Sequence, residues 1–381
     1  MVRKRTTKKA KRKTASRKKA PAKRKTATRR SPRTTKAPSM AERQLAMYHD
    51  PFSRASKQPK IPDGKLTESL GFQTQAVGEF TAKNPTTAAT GSGVLDILIF
   101  GGQNVGMLVK GDLDGSFPFK NTAGAEITDP SAAMIAVGFE GSNRFDASAL
   151  STIGGIVVAQ DQYAYWRLVS QGVILSLLNP QEEDDGWWEA VRLTEPLQTD
   201  QYGFWNRDNG MNEGDMAIVP FGLIQEHAGQ SLVNETSYTT GLCRDLHKHV
   251  FKLHPIGDEH DVKQQMTTTQ FTASDISTSV GSSSAATAGV YKTFGSGLDT
   301  PRGAISDQIS ASHDMIYVRI HGRAAGNPTR LHYNMVSNQE IVFDNSERES
   351  RFHTLSQRVG NFDEHHAASR ASSSASHMSF G

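Results

Sequence analysis

The chain has 381 residues, 36% of them hydrophobic, a formal net charge of +4 and one cysteine, Cys243. That length suits one large domain with insertions or two domains, and a lone cysteine rules out intramolecular disulfides. An evenly basic surface is also excluded: residues 1–40 hold 18 of the 43 Lys and Arg and none of the 39 Asp and Glu, which leaves 25 basic against 39 acidic residues, a net of −14, beyond them.

The first element is therefore a basic arm over residues 1–40. Its cations are Arg3, Lys4, Arg5, Lys8, Lys9, Lys11, Arg12, Lys13, Arg17, Lys18, Lys19, Lys23, Arg24, Lys25, Arg29, Arg30, Arg33 and Lys36, spaced by Thr, Ala, Ser and Pro. Such a segment buries too little apolar surface to offset its conformational entropy and is expected to be disordered until a polyanion neutralises it. We read all 18 as nucleic-acid-binding residues that contact phosphates. A secretory signal would need an apolar run after the basic start, and an organelle presequence would need large apolar residues where positions 6–36 offer only Ala and Pro.

Residues 41–65, with Pro51, Pro59 and Pro62, read as a linker into the body. The body, residues 66–350, reads as all-β. Short apolar or alternating runs recur at Val94–Phe100, Met134–Phe139, Gly155–Ala159, Val173–Leu178, Trp187–Leu193, Met216–Ile224, Met315–His321, Leu331–Val336 and Glu340–Phe343. Alternation is clearest after Met315, where Ile316, Val318 and Ile320 are expected to face a core and Tyr317, Arg319 and His321 to face away. One short helix is expected over Asp161–Leu168, with Asp161 as its cap. No run is long enough for a membrane span: Val94–Phe100 and Gly172–Leu178 stop at seven residues. Many short strands without βαβ alternation predict a sandwich or jelly roll with long loop insertions. The Ser, Thr, Ala and Gly-rich stretch 267–297 is the expected projecting insertion, and residues 351–381 read as a flexible low-complexity tail.

Candidate sites are few. Asp112 and Asp114 in Gly-Asp-Leu-Asp-Gly, and the run Glu182–Asp185, offer carboxylates for structural calcium between subunits, against the simpler reading of acidic surface loops. His247, His249 and the stretch His254–Asp261 match no zinc spacing and read as a solvated loop. Gly101-Gly102 and Gly154-Gly155 lack the lysine and following helix of a phosphate loop and read as turns. Cys243 reads as a buried or inert thiol, and of Trp187 and Trp188, neighbours on a strand, one is expected to point each way. No catalytic set emerges, so no enzyme activity and no cofactor beyond calcium is expected.

Two stretches carry a family resemblance. Tyr165-Trp166-Arg167-Leu168-Val169-Ser170-Gln171-Gly172-Val173 is similar to the aromatic-Arg-x-Val-Ser-x-Gly segment that leads into a shell strand of nodavirus-like coat proteins. Ile316–Gly322, followed by Leu331–Phe343 with Asn338-Gln339-Glu340, looks like the closing strand pair of that jelly roll. Overall the chain resembles the capsid proteins of bacilladnaviruses, single-stranded DNA viruses of diatoms. The resemblance implies a viral jelly roll, a homo-oligomeric icosahedral shell of the T=3 kind with about 180 copies, a single-stranded DNA genome as partner, no membrane partner, and a place in the virion with assembly in the host nucleus. The competing reading is a cellular chromatin or ribonucleoprotein factor with a histone-like tail, although no helix-turn-helix, zinc spacing or RNP-type strand supports it.

Overall fold

A computed structural model describes residues 37–64, 68–82, 94–103, 105–111, 134–138, 150–153, 156–159, 163–194, 203–206, 216–220, 223–224, 227, 230–256, 263–264, 276–277, 292–294, 309–310, 312–323, 327–343, 348–358, 360 and 378–379. The chain divides into two units, Met1–Ala37 and Pro38–Gly381, and every helix and strand described belongs to the second. That unit opens with one helix, α1 (Met40–His49), and continues as strands. These are β1 (Leu70–Ala82), β2 (Val94–Ile99), β3 (Val105–Gly111), β4 (Met134–Gly138), β5 (Leu150–Ile153), β6 (Ile156–Ala159), β7 (Tyr163–Leu177), β8 (Trp187–Leu193) and β9 (Gly203–Asn206). Then come β10 (Met216–Val219), β11 (Thr239–Leu242), β12 (His249–Lys252), β13 (Lys263–Gln264), β14 (Ile276–Ser277), β15 (Lys292–Phe294), β16 (Met315–His321), β17 (Thr329–Phe343) and β18 (Met378–Ser379). Among the described residues no helix is long and apolar enough to cross a membrane.

Eight strands make the framework, and their pairing follows one rule. The first pairs with the eighth (β1 with β17), the second with the seventh (β2 with β16), the third with the sixth (β7 with β12) and the fourth with the fifth (β8 with β11), all antiparallel. This is one long hairpin of paired strands. It rolls up because β17 also pairs with β7 and β16 with β8, which gives one sheet β1-β17-β7-β12 and another β11-β8-β16-β2. That rolled arrangement is a jelly roll. β18 extends the first sheet as a parallel partner of β12, and β3 and β4 extend the second beyond β2. A separate four-stranded sheet, β10-β9-β15-β14, is assembled from the β8–β11 and β12–β16 connections, so part of the 267–297 stretch forms strands with the other insertion.

Period-2 alternation sends one row of each strand into the space between the sheets. Trp166, Leu168, Val173, Leu175, Met335 and Ile341 of the first sheet meet Leu95, Ile97, Trp188, Ile316, Val318 and Ile320 of the second in one buried cluster. The Trp188 ring stands edge-on to Phe251 of β12 at 5.5 Å, tying the sheets together. Gln171 also points inward, and its amide nitrogen donates to the carbonyls of Phe100 (2.6 Å) and Gly106 (3.1 Å), so its N–H donors cross the sandwich satisfied. Gly102 makes the turn between β2 and β3, where a Cβ would lie 1.8 Å from the Val105 carbonyl oxygen.

Several expectations need correction. Tyr163–Leu168 is not helical but already part of β7, and Asp161, the expected cap, lies outside the described residues. A bulge makes the difference, since Gln339 pairs with Leu168 but Asn338 pairs with Ser170, leaving Val169 extra. Inward residues are Trp166 and Leu168 before it and Gln171, Val173 and Leu175 after it, so the alternation changes phase and imitates a mixed pattern. Leu331–Val336 and Glu340–Phe343 are halves of one strand, β17, joined by the polar but buried Ser337, Asn338 and Gln339. The segment 41–65 is no free linker, because it holds α1 and buries Met47, Lys60 and Ile61. Within 351–381, Thr354 bridges to Ser69 and Arg358 to Asp63, so the start of that segment is fastened to the body.

Candidate functional site

The arm ends where α1 begins, and local sequence fixes that point. Ser39 Oγ accepts from the Glu42 backbone N–H (3.1 Å) while the Glu42 carboxylate accepts from the Ser39 N–H (2.5 Å), a reciprocal cap that starts the helix. α1 buries Ala41, Gln44, Leu45 and Met47 and lies on the outer face of the first sheet, where the Ser170 hydroxyl donates to the Met47 carbonyl at 2.6 Å. The chain beyond it is held the same way. Pro51 O accepts from the side-chain amides of Gln73 (3.0 Å) and Asn338 (3.1 Å), and Gly172 leaves room for the proline, since a Cβ there would be 2.7 Å from Pro51 Cγ.

The next segment is clamped by a buried charge network. Arg167 on β7 faces Glu340 on β17, with Nε 2.5 Å from Oε2, and its other arm reaches Asp63 at 2.6 Å. Glu340 also accepts from the Ile61 N–H (3.1 Å) and the Ser69 hydroxyl (2.8 Å). Lys60, fully buried, donates to the carbonyls of Ser69 (2.6 Å) and Thr354, joining the root of the arm, the start of β1 and the carboxy-terminal segment. Burial pulls its ammonium down to about 8, opposed by Glu340 and assisted by Arg167. Burial works against the Arg167 charge too, but Glu340 and Asp63 hold its pKa above the ordinary value. The arrangement is a mechanical anchor that ties the root of the arm to both long central strands.

A second network lies on the outer face of the other sheet. Arg319 donates to Asp96 (2.8 Å), Glu189 (3.3 Å) and the carbonyls of Gln230 (2.6 Å) and His227 (2.7 Å), so it pins the loop before β11 over Tyr317. That is why Tyr317 and Arg319, which point away from the core as alternation requires, are nonetheless buried. One cross-strand row of this face stays open: Leu242, Trp187 and His321 are successive register partners, and the Trp187 and His321 rings stack at 3.7 Å with 5° between planes. Trp187 is 41% exposed and Trp188 is buried, one pointing each way.

The other sequence candidates do not converge on one place. All 18 arm cations, Asp112, Asp114, Gly154-Gly155 and His260 lie outside the described residues. Of the Glu182–Asp185 run, Glu183 and Asp185 are paired with Arg323 at 3.0 and 2.5 Å, so a cation of the chain itself already compensates them. His247 is exposed, and His254 is half-buried beside Arg192 and Lys252, where burial and those cations pull it down to about 4. Among the described residues no cluster of three or more His, Cys, Asp or Glu is placed to hold a metal. Cys243 is buried and its thiol is pushed up to about 12 by burial and Asp185, which makes it inert. Sequence reading misses α1, Lys60 and Asp63. The Ser39-x-x-Glu42 spacing is the signal available for the helix, whereas nothing local marks Lys60 as buried.

Comparison with known proteins points one way. A family model described as Shotokuvirus capsid protein matches residues 39–377. The capsid protein of Avon-Heathcote Estuary associated kieseladnavirus is 40% identical over 349 residues, covering 88% of each chain. That of Chaetoceros diatodnavirus 1 is 32% identical over 330 residues, covering 83% of this chain and 77% of the relative. Among solved structures, the infectious bursal disease virus VP2 subviral particle aligns over 86% of this chain and 93% of its own at 9% identity and a TM-score of 0.44. With the family model spanning the jelly roll from the first residue of the α1 cap to the edge of β18, and with close relatives named as capsid proteins, the chain belongs to the Shotokuvirus capsid protein family.

Proposed function

We propose that this capsid protein self-assembles into an icosahedral shell and packages the viral genome through its arm, residues 1–40. The observation that carries the reading is the charge division, 18 cations without one acid ahead of a body of net −14. A flexible arm of that charge binds phosphates by releasing counterions, without reading sequence. The anchor at Ser39–Asp63 supports it, because a segment that pulls on a genome needs a firm attachment to the shell. A T=3 shell of about 180 copies would bring roughly 3,240 arm charges, which at about one per phosphate suits a genome of several kilobases. Single-stranded DNA is the proposed cargo, after the diatom-virus relatives, with assembly in the host nucleus. Calcium between subunits at Asp112 and Asp114 is a subsidiary proposal, tested by particle size with and without chelator in wild type and in Asp112→Asn with Asp114→Asn.

The deciding experiment compares particles of the full chain with those of a chain lacking residues 1–36. The truncated protein is expected to assemble into particles free of nucleic acid, read from the ratio of absorbance at 260 and 280 nm. Truncated particles with a full nucleic-acid load would overturn the assignment.

A further inference from the structure

Among the described residues of the second sheet, one row presents large side chains to solvent. The sheet's inner face meets the first sheet, and Val191, Tyr317, Leu98 and Leu108 on its outer face are buried. Leu242 and Trp187 stay 46% and 41% exposed, and stacking on His321 holds the indole flat instead of letting it fold away. A rigid, flat, exposed aromatic beside an exposed leucine is the composition of an interface anchor. Both residues sit at one rim of the sandwich, where Leu242 runs directly into the turn Cys243–Lys248 and Trp187 directly follows the loop Gln181–Gly186.

Those two neighbours carry opposite charge. The turn exposes Arg244 and Lys248, which share the single carboxylate of Asp245 and leave the turn net positive, and the loop carries four acids of which Arg323 holds Glu183 and Asp185, leaving Glu182 and Asp184 outside those pairs. A surface that presents an apolar centre, a cationic turn and an acidic loop is complementary to a copy of itself turned about a two-fold axis. We infer that the Leu242–Trp187–His321 row is a two-fold contact between copies of this chain, in which Trp187 packs against its counterpart and the cationic turn of each copy meets the acidic loop of the other. The inference rests on the assembly reading above and adds the surface that reading leaves open.

The test uses the full chain and measures the fraction of protein that sediments as particles. Arg244→Glu with Lys248→Glu, and separately Glu182→Lys with Asp184→Lys, are each expected to cut that fraction about tenfold at low salt. All four changes together restore the complementarity and are expected to bring it back to within about twofold of wild type. Trp187 is read by iodide quenching, as the difference between wild type and Trp187→Phe. It should be quenched in dissociated subunits and protected in particles. If the combined variant assembles no better than the single reversals, or if Trp187 stays quenchable in wild-type particles, the two-fold contact is wrong while assembly stands. If the wild-type chain forms no particles under any ionic condition, the assembly reading fails and takes this contact with it. Trp187→Ala with Leu242→Ala adds the apolar term. Near-ultraviolet circular dichroism of its dissociated subunits checks that the fold survives, and the charge reversals decide the matter if it does not.

Discussion

Arg167 and Glu340 face each other across the β7–β17 pair, guanidinium to carboxylate at 2.5 Å, both buried beneath the root of the basic arm. Neither charge has water to fall back on. Replacing one therefore leaves the other stranded, and Arg167→Met is expected to cost about 3–5 kcal/mol in chemical denaturation. Arg167→Met combined with Glu340→Leu should cost less than the sum of the two single changes, because the buried Glu340 carboxylate goes with its partner, while Asp63, the other carboxylate on Arg167, is 23% exposed and keeps contact with solvent.

Arg319→Lys tests the loop clamp. Lysine keeps the charge but cannot serve two carboxylates and two carbonyls in one plane, so the loop around Leu223–Leu232 should loosen. A loss of about 2 kcal/mol is expected, with faster limited proteolysis at that loop as the distinguishing signature. Proteolysis unchanged from wild type would remove Arg319 from this role.

His254 predicts a pH dependence. Its pKa is pulled from 6.5 to about 4 by burial, Arg192 and Lys252. Between pH 6.5 and about 4 the unfolded chain therefore binds a proton that the folded chain refuses, and stability falls as pH falls through that window. Asp314, whose carboxyl burial holds above its ordinary range, acts in the opposite direction. The comparison is therefore between wild type and His254→Gln, which should lose about 1–2 kcal/mol of the acid-induced decline. Parallel stability curves from pH 7 to 4 would refute the assignment.

The arm should bind without reading bases. A peptide of residues 1–40 is expected to bind unrelated single strands alike, with the logarithm of affinity falling by roughly 0.7 per phosphate contacted for each unit of log salt. Strong preference for one sequence at moderate salt would contradict this.

Legibility in the sequence tracks how simple each strand's environment is. β16 is readable because its inward residues, Ile316, Val318 and Ile320, alternate without interruption. β7 misleads because the bulge at Val169 shifts its phase and because Arg167 and Ser170, although outward, are buried under the arm's root. β1 escapes sequence reading altogether: its sequence, Leu-Gly-Phe-Gln-Thr-Gln-Ala-Val-Gly-Glu-Phe-Thr-Ala, alternates, but with glycine and alanine diluting the apolar row. Gly71 is required there by the Pro59 carbonyl oxygen, 2.2 Å from where a Cβ would sit, a long-range constraint with no local trace. The anchor is invisible for the same reason, since Lys60, Asp63, Arg167, Glu340 and Thr354 meet only after folding.

The pairing of β1 with β17 sets an order of events in time. Synthesis delivers the cationic segment before Leu70–Ala82 and Thr329–Phe343 long after both, and until that later strand emerges Leu70–Ala82 lacks its pairing strand and Lys60 lacks the Thr354 carbonyl. A contact spanning most of the chain is slow to form. The segment proposed to bind nucleic acid is thus made well before the strand that secures its root, so a polyanion that binds it has an interval in which to do so while the shell domain is still closing.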